Sequence, residues 1–311
     1  MATTTSITSS YAGEFAGDYI AAALLSGETI NSGVITVKPN VKYKQVVKKI
    51  ATDDIVRDAV CDFTPTSTVT LTERVLQPEY QQVNLQLCKK DFIEDWEAEQ
   101  MGYSAHHNLP PKFSDFLISH VADKVAQRTE TSIWTGDTSN NGQFDGLVTK
   151  FKADSDIIDR SATTVTSANV IDEMGKLIDS CPSAIYNSED LYLYMSRNIA
   201  KAYIRALGGF GASGLGAAGT NDQGSQWYNN GSLSFEGVKV FVAPGLSDNT
   251  AVLAEKSNLF FGTSLVADHN EVKVLDMSDL DGSDNVRLVM RFTAGVQYGI
   301  GSEIVLYEPT V

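Results

Sequence analysis

The chain has 311 residues, 42% of them hydrophobic, which is enough for a buried core in one large domain or two ordinary ones and argues against general disorder. Its formal net charge of −15 disfavours sequence-independent binding to nucleic acid or to an anionic membrane, because like charges repel. Three widely separated cysteines without a C-x-x-C pair exclude a disulfide framework and favour a reducing compartment.

The N-terminal region predicts neither a signal peptide nor a membrane span. It lacks a basic start, and its apolar run Tyr19–Leu25 has only seven residues, too few to cross a bilayer. We therefore expect cytosolic synthesis. Residues Glu14–Gly27 predict a short helix that ends at the glycine.

Residues 33–50 predict extended chain interrupted at Pro39, because β-branched residues alternate weakly with polar ones. Five lysines in this stretch favour a strand edge kept soluble by charge: Lys38, Lys42, Lys44, Lys48 and Lys49. A nucleic-acid patch is the lesser interpretation.

A long hairpin is predicted around Pro78. Apolar and polar residues alternate before the proline, at Val69 and Leu71, and again after it, over Val83–Leu87. A two-stranded ribbon buries too little apolar surface to be stable alone in water. We therefore expect the rest of the chain, or a neighbouring subunit, to cover it.

Two helices are predicted next. The first spans Phe92–Gly102, and its acidic residues most simply form a solvated face, a paired-carboxylate hydrolase being the weaker interpretation: Glu94, Asp95, Glu97 and Glu99. The second, over 111–134, has the strongest pattern in the chain, because its apolar residues recur four apart and proline is tolerated in a first turn: Phe113, Leu117, Val121 and Val125.

Helices and strands alternate in the second half of the chain. Helices are predicted over 167–180, with Ser167 as N-cap, and over 196–209, with a short buried strand at 191–195 between them. Several strand-like runs follow, and the end of the chain predicts a long strand from about 286 with a returning partner. The fold class is therefore α+β, with most helix early and most strand late.

The run "GGFGASGLGAAG" contains two overlapping G-x-G-x-x-G matches, formed by Gly209, Gly211, Gly214, Gly216 and Gly219. A dinucleotide-binding loop needs a strand before the first glycine and a helix after the last. Here a helical pattern precedes the run and a polar stretch follows it. The glycines are therefore predicted to end a helix and to begin a long loop.

Other motifs predict no chemistry. The four histidines lack metal-ligand spacing, and "DMSDLDGSDN" at 276–285 lacks the glutamate that closes an EF-hand loop, so it is more simply a solvated turn. Neither a G-x-S-x-G motif nor a P-loop occurs. We predict no catalytic, cofactor-binding or metal-ligating residues and no cofactor.

The order of these parts resembles the major capsid proteins of tailed bacteriophages, which have the Hong Kong 97-type fold. Three segments also resemble that family in sequence: residues 71–100, "FDGLV" at 144–148, and "VRLVMRFTAGVQYGIGSEIVLY" at 286–307. Each motif has low specificity alone, and their order along essentially the whole chain carries the resemblance.

The resemblance implies a domain organisation. An N-terminal arm at 1–45 is followed by the start of a peripheral domain at 46–110, which carries an extended loop at about 57–88. The peripheral domain continues at 111–165, with its long spine helix at 111–134, and ends with return strands at 286–311. Between these two parts lies an axial domain at 166–285, with a glycine-rich axial loop at 208–230.

The resemblance also implies contacts and partners. Assembly contacts are expected from Gly209, Gly211, Gly214, Gly216 and Trp227 at a symmetry axis, and from Thr72, Glu73, Arg74, Gln77 and Pro78 in the extended loop. Hexamers and pentamers would form a closed virion capsid in the bacterial host cytoplasm, enclosing double-stranded DNA without sequence-specific binding and without a membrane. Scaffolding, portal and decoration proteins are further candidate partners.

Three alternatives stay open at this point. An encapsulin-type cellular compartment would have the same fold, and its discriminator is cargo binding on the inner surface. A nucleotide-dependent enzyme would use the glycine run. A tail or adhesion protein is disfavoured by the long helix at 111–134.

Overall fold

The computed structural model describes residues 27–52, 56, 58, 59, 61, 68–88, 111–207, 233–264, 272–278 and 280–309. The helix predicted over 14–27, apart from Gly27, the helix predicted over 92–102 and the axial loop predicted over 208–230 lie outside these residues. Within them, no helix is both long and apolar enough to span a membrane.

Five α-helices occur in the described part of the chain: α1 Glu28–Asn31, α2 Pro111–Thr135, α3 Leu147–Lys152, α4 Val170–Asp179 and α5 Arg197–Leu207. The predictions of the long helix and of the two later ones are confirmed. At the start of α4, the N-cap position is held by Asn169, without a capping side-chain hydrogen bond, and not by the predicted Ser167. The Asn169 side chain accepts a hydrogen bond from the backbone N–H of Thr166, which closes the turn that leads into the helix.

Thirteen strands are described, in chain order: β1 Thr36–Lys38, β2 Gln45–Thr52, β3 Val69–Leu76, β4 Glu79–Cys88, β5 Ile158–Ala162, β6 Leu191–Met195, β7 Ser234–Phe235, β8 Val238–Val242, β9 Ala251–Glu255, β10 Leu259–Gly262, β11 Val272–Asp276, β12 Asn285–Tyr298 and β13 Val305–Pro309. They form a five-stranded sheet of order β1-β10-β12-β11 in which β4 also pairs with β12, a six-stranded sheet of order β5-β13-β9-β6-β8-β7, and a two-stranded pair of β2 with β3.

The central strands β13, β9 and β6 of the six-stranded sheet are buried on both faces. Along β6, Tyr194 packs in one hydrophobic cluster with α2 and the five-stranded sheet, whereas Leu193 and Met195 pack in a second cluster with α4 and α5. Strand period two sends alternate side chains to opposite faces, so one strand supplies both cores. The ring of Trp134 on α2 lies 5.0 Å from that of Tyr194 and joins the long helix to this sheet.

The prediction of a hairpin around Pro78 is wrong, because the strands before and after the proline do not pair with each other. β3, before the proline, pairs with β2, and β4, after it, pairs antiparallel with β12 over ten residues, from Asn285↔Cys88 to Ala294↔Glu79. Gln77 and Pro78 make a crossover between two sheets instead of a turn. Pro78 is buried against Gly295, where an added Cβ would lie 2.9 Å from the Cα of the proline.

The prediction that the last strand returns alongside the long strand is also wrong. β12 ends at Tyr298, a 3-10 turn at Gly301–Glu303 redirects the chain, and β13 joins the six-stranded sheet between β5 and β9. The reason lies in the side chains of β13, since three successive residues are buried: Val305, Leu306 and Tyr307. Such a run needs a sheet that is covered on both faces.

Candidate assembly surface

The strands β2 and β3 form a ribbon that extends from the five-stranded sheet. They pair only with each other among the described strands, in a register that runs from Gln45↔Leu76 to Thr52↔Val69. We call residues 45–52 and 69–76 the ribbon, its end near Gln45 and Leu76 the root, and its end near Thr52 and Val69 the tip.

One face of the ribbon is apolar and exposed. Directly opposed residues of an antiparallel pair share a face, so Ile50 lies beside Leu71 and Val46 beside Val75. Ile50 is 66% exposed and Leu71 65%. Of the twelve large hydrophobic side chains that the described residues expose, seven lie in the ribbon or within four residues of it in the sequence: Tyr43, Val46, Ile50, Val56, Val69, Leu71 and Val75. An apolar patch of this kind marks an interaction surface.

A charged pair interrupts the apolar face. Lys48 lies opposite Glu73, between the Val46–Val75 and Ile50–Leu71 pairs, and both side chains belong to exposed residues. Charges at the centre of a strand pair of this kind limit edge-to-edge aggregation. A binding partner would need groups that complement these two charges.

The root is anchored to the body of the protein by Arg74. Its guanidinium donates three hydrogen bonds: Nε to the backbone oxygen of Gly299 (3.0 Å), Nη1 to the hydroxyl of Tyr298 (3.0 Å) and Nη2 to Oδ2 of Asp154 (2.5 Å). The same group lies over the Tyr298 ring, 4.3 Å from its centre. Tyr298 donates in turn to Asp154 Oδ2 at 2.7 Å. Arg74, Asp154 and Tyr298 are called the anchor below.

The anchor carboxylate is held in its charged form. Burial alone would raise the pKa of Asp154, but hydrogen bonds from the Tyr298 hydroxyl, the Asp156 backbone N–H and Arg74, together with the Arg74 charge, lower the pKa overall. Burial and the hydrogen bond to Asp154 raise the pKa of Tyr298, so the phenol stays protonated and keeps donating. The anchor is therefore an ion pair with a neutral bridging phenol.

Packing at the root supports the anchor. Leu76 is fully buried, and its side chain occupies the space beside Gly262, where an added Cβ would lie 2.9 Å from a Leu76 methyl group. The Gln297 side chain donates to the Val75 backbone oxygen at 2.8 Å. The ribbon is therefore fixed at its root, while its apolar face has no cover from the described part of the chain.

The residues predicted for the extended loop fall in different environments. Thr72 and Glu73 are exposed on opposite faces of the ribbon, Arg74 lies in the anchor, Gln77 is exposed and Pro78 is buried in the crossover. The sequence reasoning missed Val46 and Ile50, because "VVKKI" does not alternate strictly. The five residues predicted at the symmetry axis lie outside the described residues: Gly209, Gly211, Gly214, Gly216 and Trp227.

The surroundings of the glycine run do not match a dinucleotide-binding loop. Helix α5 ends at Leu207, directly before the run, and the next described element is strand β7. The described residues contain no group of histidine, cysteine or acidic side chains that could hold a metal ion. The three cysteines are free, with Cys61 exposed.

Comparison with known proteins identifies the fold. No family model and no curated protein sequence matches the chain. Among solved structures, it is similar to the capsid of a native GTA particle, with a TM-score of 0.61 and 14% identity over 93% of this chain and 90% of that one. It is also similar to the capsid of cyanophage P-SCSP1u, with a TM-score of 0.53 and 12% identity over 90% and 88% of the two chains.

A third similar structure is a virus-like particle from Pyrococcus furiosus, with a TM-score of 0.52 and 9% identity over 95% of this chain and 98% of that one. The class that emerges is a fold that these three solved particle structures share. The chain has the Hong Kong 97-type fold, as the sequence resemblance implied.

Proposed function

We propose that the chain is a structural major capsid protein, without enzymatic activity, that self-assembles into the icosahedral head of a tailed bacteriophage. The observation that carries the proposal is the ribbon, which is anchored at its root and exposes an apolar face. A ribbon of two strands gains little stability of its own. Its exposed face therefore fits a role in contacts between subunits.

A second copy of the chain is the simplest cover for this face. The fold is that of capsid proteins, and a contact between a projecting element and a different surface of the next copy repeats around a ring until it closes. Such rings would be the hexamers and pentamers of the shell. Thr72, Glu73, Arg74, Gln77 and Pro78 would then shape or position this contact.

The glycine-rich loop would make the contacts between subunits at the symmetry axis. It is flanked by α5 and β7, and both of these elements pack in the second hydrophobic cluster. Glycine adopts backbone conformations that other residues avoid, which suits a loop that must fit both five-fold and six-fold packing. Gly209, Gly211, Gly214, Gly216 and Trp227 would contact their counterparts there.

The charge of the chain fits a container for DNA. A net charge of −15 weakens non-specific phosphate binding, so packaged double-stranded DNA would be enclosed without being tightly bound. The mature protein would reside in the virion capsid after assembly in the cytoplasm of the bacterial host. Scaffolding, portal and decoration proteins would be its further partners.

Negative-stain microscopy with light scattering tests the proposal. The chain, expressed alone and with its scaffold if one is encoded beside it, should form closed shells or rings of five and six. The double variant Ile50→Ser/Leu71→Ser should stay monomeric and folded. Ile171→Ser is the matched control, since Ile171 is an exposed aliphatic residue on α4, and it should assemble normally. Assembly of the double variant at the wild-type concentration would contradict the role of the ribbon.

An encapsulin-type compartment is the second candidate, because it would have the same fold and because one similar structure, the virus-like particle from Pyrococcus furiosus, comes from a cellular organism. The contents of particles purified from the native host distinguish the two functions. DNA protected from nuclease supports the phage head, whereas an enclosed protein cargo without DNA supports the compartment.

A further inference from the structure

A groove of about 460 Å³ lies between strand β4 and helix α2. Its volume falls within the ~300–1,000 Å³ typical of ligand pockets. The floor is apolar and is made by buried or half-buried side chains of both elements and of their neighbours: Val83, Leu85, Val121, Val125, Phe144 and Phe292. A groove with such a floor favours an occupant with apolar side chains.

The rim of the groove is basic along α2. Lys124 and Arg128 are exposed, four residues apart, and therefore on the same helix face. Neither has a carboxylate partner among the described residues. Lys124 donates to the Gln127 side chain at 3.4 Å, and Arg128 donates to the Asn141 backbone at 3.5 Å. In a chain of net charge −15, two neighbouring cations that lack an acidic partner among the described residues favour an acidic occupant.

Residues 92–99 have the matching composition. This stretch, "FIEDWEAE", contains three large apolar residues, Phe92, Ile93 and Trp96, four carboxylates and no cation. Aromatic residues such as Trp96 are the side chains that most often anchor a contact in an apolar pocket. The stretch lies outside the described residues.

The connectivity allows this stretch to reach the groove. It belongs to residues 89–110, which join the end of β4 to the start of α2, the two elements that form the groove walls. Cys88 lies three strand residues from Leu85, about 10 Å along β4. Residues 89–91 can span a further ~10 Å when extended, and residues 100–110 can span ~36 Å. Both connections are therefore long enough for residues 92–99 to reach the floor.

We propose that residues 92–99 bind the groove between β4 and α2 of their own chain. Phe92, Ile93 and Trp96 contact the apolar floor, and the carboxylates of the stretch pair with Lys124 and Arg128. This intrachain contact covers the face of α2 that lines the groove. It does not depend on assembly, so it holds in an isolated subunit.

Zero-length carbodiimide cross-linking tests the contact directly, since it joins an amine to a carboxylate in contact. In a mixture of ¹⁴N- and ¹⁵N-labelled full-length protein, peptide mass spectrometry should find Lys124 joined to Glu94, Asp95, Glu97 or Glu99 of the same isotope. Mixed-isotope products would overturn the intrachain assignment and show that residues 92–99 of a second copy occupy the groove. A link from Lys124 to Glu73 of another copy would give it to the ribbon.

A charge reversal provides the second measurement. In Lys124→Glu/Arg128→Glu, cleavage by a glutamate-specific protease at residues 92–99 should become at least fivefold faster. Lys201→Glu/Arg205→Glu is the matched control, because these residues are also exposed and four apart, on α5. Circular dichroism and the Tm establish that both variants are folded. Equal cleavage rates in the wild type and the groove variant, without Lys124 cross-links, would overturn the proposal.

Discussion

Arg74 and Asp154 are 80 residues apart in the chain, and their side chains meet at 2.5 Å, Nη2 to Oδ2, at the root of the ribbon. Both are mostly shielded from water, with 28% and 17% of their side chains exposed. The Arg74 guanidinium also binds Tyr298 and Gly299, so one side chain ties β3 to two other segments. We infer that this contact sets the direction in which the ribbon leaves the body.

Replacing Arg74 with alanine should loosen the ribbon. The variant loses three hydrogen bonds and leaves the Asp154 carboxylate without its cation, so the free energy of unfolding should fall by about 2 kcal/mol. Hydrogen exchange of residues 45–52 and 69–76 should accelerate in the same variant. Lys256→Ala is the control, because the Lys256–Asp190 pair is more exposed than the Arg74–Asp154 pair, at 39% and 45%, and should contribute little. Unchanged exchange in Arg74→Ala would show that Leu76 alone fixes the root.

The anchor should make stability depend on acid pH. The pKa of Asp154 is lowered in the folded protein, so its stabilisation is present above the ordinary value of 3.8 and is lost as the pH falls through the folded pKa. Urea unfolding between pH 2 and 6 should give a smaller slope of stability against pH for Asp154→Asn than for the wild type. Parallel slopes would contradict a charged carboxylate in the anchor.

Glu130 should make the stability of the protein depend on pH in the opposite direction. It is buried on α2 and accepts hydrogen bonds from the backbone N–H and hydroxyl of Thr29, which also accepts from Trp134. Burial raises its pKa, and the Thr29 hydrogen bonds only partly offset this. Stability should therefore fall as the pH rises from the ordinary value of 4.5 through the raised pKa. Glu130→Gln should lack this fall in urea unfolding measured from pH 4 to 8, whereas an identical pH profile would show that Glu130 is not buried in this way.

Two glycines should respond oppositely to alanine. At Gly245, a Cβ would lie 2.3 Å from the Glu130 backbone oxygen and 2.9 Å from Trp134, so Gly245→Ala should lower the free energy of unfolding by about 2–3 kcal/mol. At Gly175, within α4, the space is open, and Gly175→Ala should raise the free energy of unfolding by about 1 kcal/mol through helix propensity. Thermal unfolding of both variants is the check. A tolerated Gly245→Ala would contradict the close approach of residue 245 to α2.

The sequence predicts the helices better than the strand partners. The apolar spacing of α2, α4 and α5 is local, so each helix could be found from its own residues. Alternation shows that residues 69–76 and 83–87 are strands, but it does not reveal that β4 pairs with Asn285–Tyr298, about 200 residues further along the chain. Two neighbouring strands separated by a proline look like a hairpin until the distant partner is known.

The ribbon and anchor were partly predictable. Arg74 was expected in the extended loop, but Asp154 and Tyr298 carry no local signal, since one is an acid after a short helix and the other ends a long strand. The apolar face depends on the register of β2 against β3. Val46 and Ile50 share it with Leu71 and Val75 only because the strands pair as they do.

In the assembled shell, we expect a neighbouring copy to cover the apolar face of the ribbon. Cryo-electron microscopy of the particle should show rings in which Ile50 and Leu71 of each subunit are buried against the next subunit. The root of the ribbon should still be held by Arg74 and Asp154. A shell in which this face points to solvent, or a contact between subunits built without the ribbon, would show that the ribbon does not hold the subunits together.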